Sequence, residues 1–207
     1  MGSQAACQVL VETARLKKGR KVFIHAGSGG VGTIAIQLAK HLGAFVATTT
    51  STNNVEWVKA LGADVVIDYK KQNFESILQD YDVVLNSLGA DELEKSLTIL
   101  RPGGQLISIS GPPTPQFAEE QKLFWGLGLV MRLLSSSTRR KARKRNVRYA
   151  FVFMRASGAQ LGEITALIES GIIKPVIDRS FPFESTAEAL SYVEQGRSKG
   201  KVIIKLK

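Results

Sequence analysis

Three glycines at a fixed spacing are the residues of this sequence best suited to hold a ligand. Gly27, Gly29 and Gly32 lie in the stretch GSGGVG, which follows the apolar run Lys21–His25 and precedes a segment with helical periodicity. In such a strand-to-helix turn, the first glycine permits the tight turn, the second lets the backbone approach a pyrophosphate, and the third allows close helix packing. The helix N-terminus then offers free N–H groups to the anion. The spacing therefore predicts a dinucleotide site, with a ligand-free turn as the alternative.

The residues that follow the second predicted strand indicate which dinucleotide fits. A site for NAD usually has Asp or Glu about 20 residues beyond the glycines, where the carboxylate bonds the ribose 2′-hydroxyl. No Asp or Glu occurs from Thr13 to Val55, and the strand ends in TTTSTNN at positions 48–54. Neutral groups there tolerate a 2′-phosphate that a carboxylate would repel. We therefore predict NADPH as the cofactor, although a hydroxyl-rich stretch also serves as an ordinary helix cap.

Three other chemistries find no support in the sequence. Zinc needs several closely spaced ligands, but the chain has one cysteine, Cys7, and two histidines, His25 and His41, and no two of these have ligand spacing. A hydrolase elbow of the G-x-S-x-G type needs serine where residues 29–30 are glycine. A Walker loop needs a lysine before its hydroxyl residue, and Val31-Gly32-Thr33 lacks it. We interpret His25 as a packed core residue rather than a base.

Strand-like and helix-like segments alternate along the chain, and these elements must position the glycine turn. The predicted strands are Lys21–His25, Phe45–Thr49, Val65–Asp68, Tyr81–Leu85, Gln105–Ile109 and Tyr149–Met154. The predicted helices are Val31–Leu42, a segment capped by Asn53 or Asn54 that ends at Leu61, Phe74–Leu78 and Asp91–Leu100. This alternation implies right-handed βαβ units. The expected fold is α/β, a doubly wound parallel six-stranded Rossmann sheet.

The last part of the chain has a less regular pattern. A helix is predicted at Ala159–Ser170, an extended segment at Val176–Phe181, a helix at Ser185–Gln195 and a final strand at Val202–Lys205. Prolines at positions 112, 113 and 115 separate this region from the fifth strand.

Positive charge is concentrated in one segment. Residues 121–162 contain ten Lys and Arg and no carboxylate, whereas the rest of the chain has 18 basic and 18 acidic side chains. The run TRRKARKRNVR at 138–148 could neutralise phosphates of RNA or of an anionic membrane surface. Its aromatic neighbours Tyr149, Phe151 and Phe153 could stack on bases. Most such runs are solvated helix faces, so nucleic acid is not the expected partner.

Composition and the chain's apolar segments favour a cytoplasmic globular protein. Hydrophobic residues make up 44% and charged residues 22%, which is usual for a soluble domain. The longest apolar stretch, 123–134, is interrupted by Arg132 and is too short to cross a bilayer. The N-terminus lacks the basic and apolar regions of a signal peptide, and a single cysteine excludes an internal disulfide.

Several stretches resemble the zinc-independent medium-chain dehydrogenases/reductases. They read IHAGSGGVGTIAIQLAKHLGA, VKALGADVVIDY, VVLNSLGADELEKSLTILRPGGQLISIS and GRSKGKVIIKL. These are similar to the quinone oxidoreductase group, which includes zeta-crystallin and the enoyl reductases of polyketide synthases. The segment from YAFVFM to the terminal motif is similar to the reticulon-4-interacting-protein branch. The resemblance covers nearly the whole chain.

The resemblance implies a set of cofactor contacts but no catalytic residue. Ser28, Gly29, Gly30, Val31 and Gly32 would hold the pyrophosphate; Ser51 and Tyr69 would contact the 2′-phosphate end; Asn86, Gly89 and Ser110 would lie near the cofactor; Phe153 would wall the nicotinamide; Ser198 and Lys199 would return to the adenosine side. Asn54 is a departure, because several quinone reductases have an assisting lysine about there.

The resemblance also implies an organisation and a function. Residues 1–20 would form an N-terminal helix that leads into the sheet, 21–175 the NADP-binding Rossmann domain, and 176–207 a C-terminal return segment of a mostly absent GroES-like catalytic domain. The implied function is NADPH-dependent hydride transfer to a quinone or an α,β-unsaturated carbonyl, with a homodimer suggested by analogy. The alternatives are an isolated NADPH-binding domain without turnover and an RNA-binding module that uses 139–148.

Overall fold

A six-stranded parallel sheet forms the centre of the structure, a computed structural model that describes residues 2–196 and 198–206. Its strands are β1 Lys21–Ile24, β2 Phe45–Thr50, β3 Val65–Asp68, β4 Tyr81–Asn86, β5 Leu100–Ser108 and β6 Arg148–Phe151. They lie in the order β3-β2-β1-β4-β5-β6, and every neighbouring pair is parallel. This is the strand order of a doubly wound dinucleotide-binding sheet, so the predicted fold class is confirmed.

Helices connect the strands and cover both faces of the sheet. They are α1 Gly2–Cys7, α2 Gly32–His41, α3 Val55–Ala60, α4 Ala90–Ser96, α5 Pro115–Glu120, α6 Trp125–Leu134, α7 Ser136–Lys144, α8 Gly158–Glu169 and α9 Thr186–Glu194. The helix that begins as α1 continues with wider π-type turns through Gln8–Thr13. Two further strands, β7 Ile177–Pro182 and β8 Lys201–Lys205, pair in parallel as a separate small sheet.

The core lies in two layers because a parallel sheet is buried on both faces. In β1, Val22, Phe23 and Ile24 are all fully buried, and successive side chains point to opposite faces. Val22 and Ile24 pack in the larger cluster, where the apolar side of α2 contributes Ile34 and Leu38. Phe23 belongs to the cluster on the other face. The short run KVFIH is therefore strand-forming because both of its faces are covered.

One predicted helix is wrong at its C-terminal end. The segment 91–100 was expected to be helical throughout, but α4 ends at Ser96 and β5 already begins at Leu100. Leu100 pairs with Tyr81 of β4, and the register then shifts across the Pro-Gly-Gly at 102–104. Ile99 and Leu100 are buried, and Tyr81 donates its backbone N–H to Ile99 at 2.9 Å. Tertiary pairing thus overrides the helical pattern.

Two other predicted elements are shorter than expected. The helix expected at 74–78 is a single 3₁₀ turn, Phe74–Ser76, whose residue Phe74 is buried in the core. The extended segment expected at 149–154 is hydrogen-bonded as a strand only over Arg148–Phe151, because β5 offers no further partner after Ser108.

His25 lies directly after β1 and is buried. The Ser96 hydroxyl donates to the Glu92 carbonyl at 2.6 Å, so the His25 Nε2–H donates to the Ser96 oxygen at 2.8 Å. The rings of Phe23 and Phe74 lie 4.5 and 5.1 Å from the imidazole. Burial lowers the pKa of His25 to about 3. The interpretation of His25 as a neutral packed core residue is confirmed.

The buried imidazole predicts a pH-dependent free energy of unfolding. The folded chain keeps His25 neutral while the unfolded chain binds a proton near pH 6.5, so stability is full above that pH and falls as the pH drops towards 3. We expect a loss of roughly 2 kcal/mol between pH 7 and pH 5, measured by urea unfolding. His25→Asn should remove this loss, whereas His41→Gln at the exposed second histidine should keep it. An unchanged pH dependence in His25→Asn would contradict the assignment.

Candidate cofactor site

The glycine turn 27–32 joins β1 to α2 at the centre of the sheet. The Gly27 amide donates to the Thr49 carbonyl of β2 at 2.8 Å, and the Gly29 amide donates back to the Ala26 carbonyl at 2.9 Å. In sheets of this type, ligands bind beyond the carboxyl ends of the strands where the strand order reverses, which here is between β1 and β4. The turn after β1 lies at that position.

Two glycines of the turn are required by close backbone packing. A Cβ built on Gly32 would overlap the Ala26 carbonyl and lie 2.8 Å from the Gly27 Cα. A Cβ built on Gly27 would overlap the Thr48 hydroxyl, which donates to the Ile24 carbonyl at 2.6 Å. The helix therefore approaches the strand as closely as the spacing predicts.

The N-terminus of α2 is arranged for an anion. It has no side-chain cap and no acidic residue in its first turn. Among the backbone contacts of the described chain, the amides of residues 30–32 donate to no carbonyl. Unpaired N–H groups at the positive end of a helix dipole are the ordinary way to bind a phosphate. The turn therefore fits a pyrophosphate on its geometry as well as its sequence.

Lys201, the first residue of β8, places a cation against the turn, and the sequence interpretation missed it. A Cβ built on Gly30 would lie 2.6 Å from the Lys201 Nζ, and Gly2 leaves room for the same amine. Burial lowers the pKa of Lys201, and the amine pairs with no carboxylate within residues 2–196 and 198–206. A half-buried cation without a counter-ion, beside free helix amides, is complementary to a bound anion.

The terminal motif reaches the turn through the residues just after those predicted. The Gly200 amide donates to the Ser28 carbonyl at 2.9 Å. Lys199 is exposed, and its amide donates to the Asp178 carboxylate at 3.0 Å. Ser198 is half-buried. Gly200 and Lys201 thus contact the turn, whereas the contact of Ser198 and Lys199 with the adenosine side stays a prediction.

The predicted adenosine end brings Ser51 and Tyr69 together at neighbouring strand ends. Thr50 of β2 is paired with Asp68 of β3, and the Tyr69 amide donates to the Thr50 carbonyl at 3.1 Å. The Ser51 hydroxyl accepts from the Asn54 amide at 3.1 Å, and the Asn54 oxygen accepts from the Trp57 indole at 3.0 Å. Tyr69 is 60% exposed, so its ring is accessible.

A carboxylate lies close to this end, although none occurs in residues 13–55. Asp68 ends β3, and its carboxylate accepts from the Thr52 hydroxyl at 2.6 Å and from the Lys70 amide at 3.0 Å. The Lys71 amine lies 3.7 Å away. The Thr52 hydrogen bond lowers the pKa of Asp68, so the group is ionised and already satisfied by its own neighbours. Strand pairing brings it there, which a scan along the sequence does not reveal.

The ends of β4 and β5 hold a buried polar cluster that includes Asn86. The Ser108 hydroxyl donates to the Asn86 oxygen at 2.8 Å, and the Asn86 amide nitrogen is buried without a partner in the described chain. Ser110 is exposed, and its hydroxyl donates to the Leu88 carbonyl at 2.7 Å. Gly89 is exposed at the start of α4. Asn86 thus keeps one unused donor at the edge where the turn lies.

Phe153 lies two residues after the end of β6, the edge strand of the sheet. Its ring is 66% exposed, and it lies 6.0 Å from the Phe117 ring of α5. Both rings line a trough of about 1130 Å³ that also contains Arg143, Arg148 and Arg155. Because β6 is parallel to β5, Phe153 follows a strand end at the same edge of the sheet as the other predicted residues, and it lines the trough beside the edge strand.

Two kinds of feature are absent from residues 2–196 and 198–206. No cluster of three or more His, Cys, Asp and Glu side chains is placed to hold a metal ion. No described helix is long and apolar enough to cross a membrane.

Comparison with known proteins places these features in a family. A family model for zinc-binding dehydrogenases matches residues 61–204. The chain is 33% identical over 205 residues to the chloroplastic NADPH-dependent alkenal/one oxidoreductase of Arabidopsis thaliana, covering 97% of this chain and 44% of that protein. It is 32% identical over 211 residues to the mitochondrial NAD(P)H oxidoreductase RTN4IP1 of Danio rerio, covering 97% of this chain and 54% of that protein.

A solved structure supports the same assignment. The quinone oxidoreductase of Coxiella burnetii superposes with a TM-score of 0.83 at 28% identity, covering 100% of this chain and 59% of that one. The chain spans about half the length of the curated relatives it matches. With the strand order, the glycine turn and the matched family model, the chain belongs to the zinc-binding dehydrogenase family, in the quinone oxidoreductase-like group of medium-chain dehydrogenases/reductases.

Proposed function

We propose that this chain binds NADPH and that the dinucleotide, when bound, delivers a hydride to a quinone or an α,β-unsaturated carbonyl. The observation that carries the proposal is the anion cradle formed by the free amides of residues 30–32 and the Lys201 amine. The names of the Arabidopsis and Coxiella relatives, an alkenal/one oxidoreductase and a quinone oxidoreductase, support the substrate class.

The chain's own part in this function is binding and orientation. The turn 28–32 and Lys201 would hold the pyrophosphate, and Ser51 and Tyr69 would hold the 2′-phosphate. Asn86, Gly89 and Ser110 would line the path from the turn along the sheet edge, with Ser198 and Lys199 beside the adenosine half. The family resemblance implies that Phe153 would lie against the nicotinamide. His25 stays neutral and packed beneath the turn and does not serve as a base, since its one free nitrogen is buried.

A second candidate function is cofactor binding without turnover. It is favoured by the chain's coverage of about half of its relatives, since substrate-facing groups of those proteins could come from the other half. The RNA-binding alternative has less support, because the glycine turn and Lys201 have no role in it.

Turnover separates the two candidates. We expect the chain to oxidise NADPH, followed as the loss of nicotinamide absorbance, when a quinone or an enone is added and not in its absence. NADPH that binds but is not oxidised with any member of either substrate class would establish the non-catalytic candidate. Absence of NADPH binding would contradict both.

The adenosine end predicts a preference for NADPH over NADH. Ser51→Asp should weaken NADPH binding on the order of tenfold or more, because two like charges at close range repel, and should spare NADH. Asn54→Lys should strengthen NADPH binding in the same assay, since it adds a cation beside the Ser51 hydroxyl. Ser76→Asp, which adds the same charge at an exposed turn, is the control. Equal affinity of the unmodified chain for both nucleotides would contradict the assignment.

The position of Lys201 predicts that removing its charge weakens the binding of NADPH and of NADH equally. Lys201→Gln should raise the dissociation constants of NADPH and NADH alike by roughly tenfold or more, because a charge-assisted hydrogen bond to the common pyrophosphate is removed. Lys205→Gln, an exposed lysine of the same strand, is the matched control. Calorimetric titration measures both, and an unchanged affinity in Lys201→Gln would exclude the lysine from the site.

The edge strand β6 bears on the oligomeric state of the chain. Among the residues that the structure describes, β6 pairs with β5 and with no other strand, and an open strand edge offers unpaired backbone groups to a second chain. A homodimer through this edge is therefore proposed, with a small-molecule quinone or enone as the other partner. A cytoplasmic location and the division into residues 1–20, 21–175 and 176–207 stay predictions.

A further inference from the structure

The helix α6 has its apolar residues on the side that faces solvent. None of its residues is buried, and Leu133 and Leu134 are 67% and 61% exposed. Given the 3.6-residue helical turn, Leu127, Leu129, Val130, Leu133 and Leu134 share one side. On the opposite side, Gly128 lies against Ala118 of α5. A surface helix of a globular protein normally has the reverse arrangement.

Aromatic residues mark the beginning of this apolar surface. Phe124 and Trp125 are 66% and 76% exposed and lie against each other with their ring centroids 5.2 Å apart. Trp is enriched where an apolar phase meets water, because its ring is apolar and its N–H is polar. Its position at the end of an exposed leucine-rich helix is typical of segments that lie in a bilayer interface.

The next helix supplies positive charge without compensation. α7 contains Arg139, Arg140, Lys141, Arg143 and Lys144, and Arg145 follows it. Lys141 pairs with Glu94, and the other five form no ion pair with a carboxylate of the described chain. Residues 121–162 contain no acidic side chain at all. One residue, Ser135, separates α6, which has the leucine face, from α7, which has the cations.

Charge complementarity decides which occupant fits this surface. A second copy related by a two-fold axis through α6 would bring two equally charged α7 helices together, and like charges at an interface are unfavourable. RNA would neutralise α7 but would leave the aliphatic face of α6 in water, because phosphates and bases do not bury leucines. An anionic bilayer satisfies both, since its headgroups attract the cations and its acyl region accepts the leucines.

We propose that α6 and α7 form a docking surface for an anionic lipid membrane. The leucine face of α6 would lie parallel to the bilayer at the level of the headgroups, and the α7 cations would contact lipid phosphates. This binding is peripheral and goes beyond the proposed reductase function, because neither helix contributes to the glycine turn or to Lys201.

The test uses the single tryptophan of α6 as a reporter. The chain has two tryptophans, so Trp57→Phe leaves Trp125 alone. Vesicles of phosphatidylcholine mixed with the anionic lipid phosphatidylglycerol should shift Trp125 emission to the blue and co-sediment the chain. Pure phosphatidylcholine vesicles should do neither, and added salt should reverse the effect.

Two sets of variants separate the apolar and the charged contributions. Val130→Ser with Leu133→Ser and Leu134→Ser should abolish the emission shift, and Arg140→Gln with Lys144→Gln and Arg145→Gln should weaken vesicle binding on the order of a hundredfold. Lys17→Gln with Lys18→Gln and Lys59→Gln removes the same charge from exposed sites elsewhere and should keep nearly all of the affinity. Circular dichroism of each variant checks the fold, which these exposed positions should not disturb.

Several outcomes would overturn the proposal. Equal binding to neutral vesicles, or an unchanged emission of Trp125 with anionic ones, would do so. A salt-dependent affinity for an RNA oligonucleotide without vesicle binding would assign the cations to nucleic acid. Light scattering that shows self-association, together with a blue-shifted Trp125 in the absence of lipid, would assign the apolar face to a second copy.

Discussion

The approach of α2 to the end of β1 depends on the missing side chain of Gly32, where a Cβ would overlap the Ala26 carbonyl. Because the helix begins directly over the strand end, its first amides point into the crevice between β1 and β4. The Thr48 and Thr49 contacts of β2 hold the turn from the other side. The predicted site residues at the ends of β2, β4 and β5 flank this turn. They can therefore contact a cofactor only if the turn holds it there.

The charged groups at the site differ in whether they have partners. Within residues 2–196 and 198–206, the Lys201 amine pairs with no carboxylate, whereas Asp68 is already bonded to Thr52 and Lys70. A half-buried cation without a counter-ion is costly, so a bound phosphate and Lys201 would stabilise each other. His25 beneath the turn adds no further charge, because burial lowers its pKa and leaves Nδ1 without a proton. The groups at the turn, namely the first α2 amides and the Lys201 amine, thus have partial or full positive charge.

Periodicity and glycine spacing were sufficient to predict the doubly wound parallel sheet and the position of the turn. The α4 boundary was predicted wrongly, because the pairing of Leu100 with Tyr81 is a long-range contact that local propensity does not contain. Lys201 was missed for the same reason, since its proximity to Gly30 depends on β7 and β8 pairing beside the turn. The signal that could have found it is the motif GRSKGK itself, in which the last lysine enters a strand and the earlier one remains exposed.

The hydrogen bond between the Gly200 amide and the Ser28 carbonyl joins the beginning and the end of the described chain. During synthesis, the glycine turn leaves the ribosome long before Gly200 and Lys201 do. Because the entropic cost of closing a loop grows with its length, we expect this contact between residues far apart in the sequence to form late in folding, after the sheet.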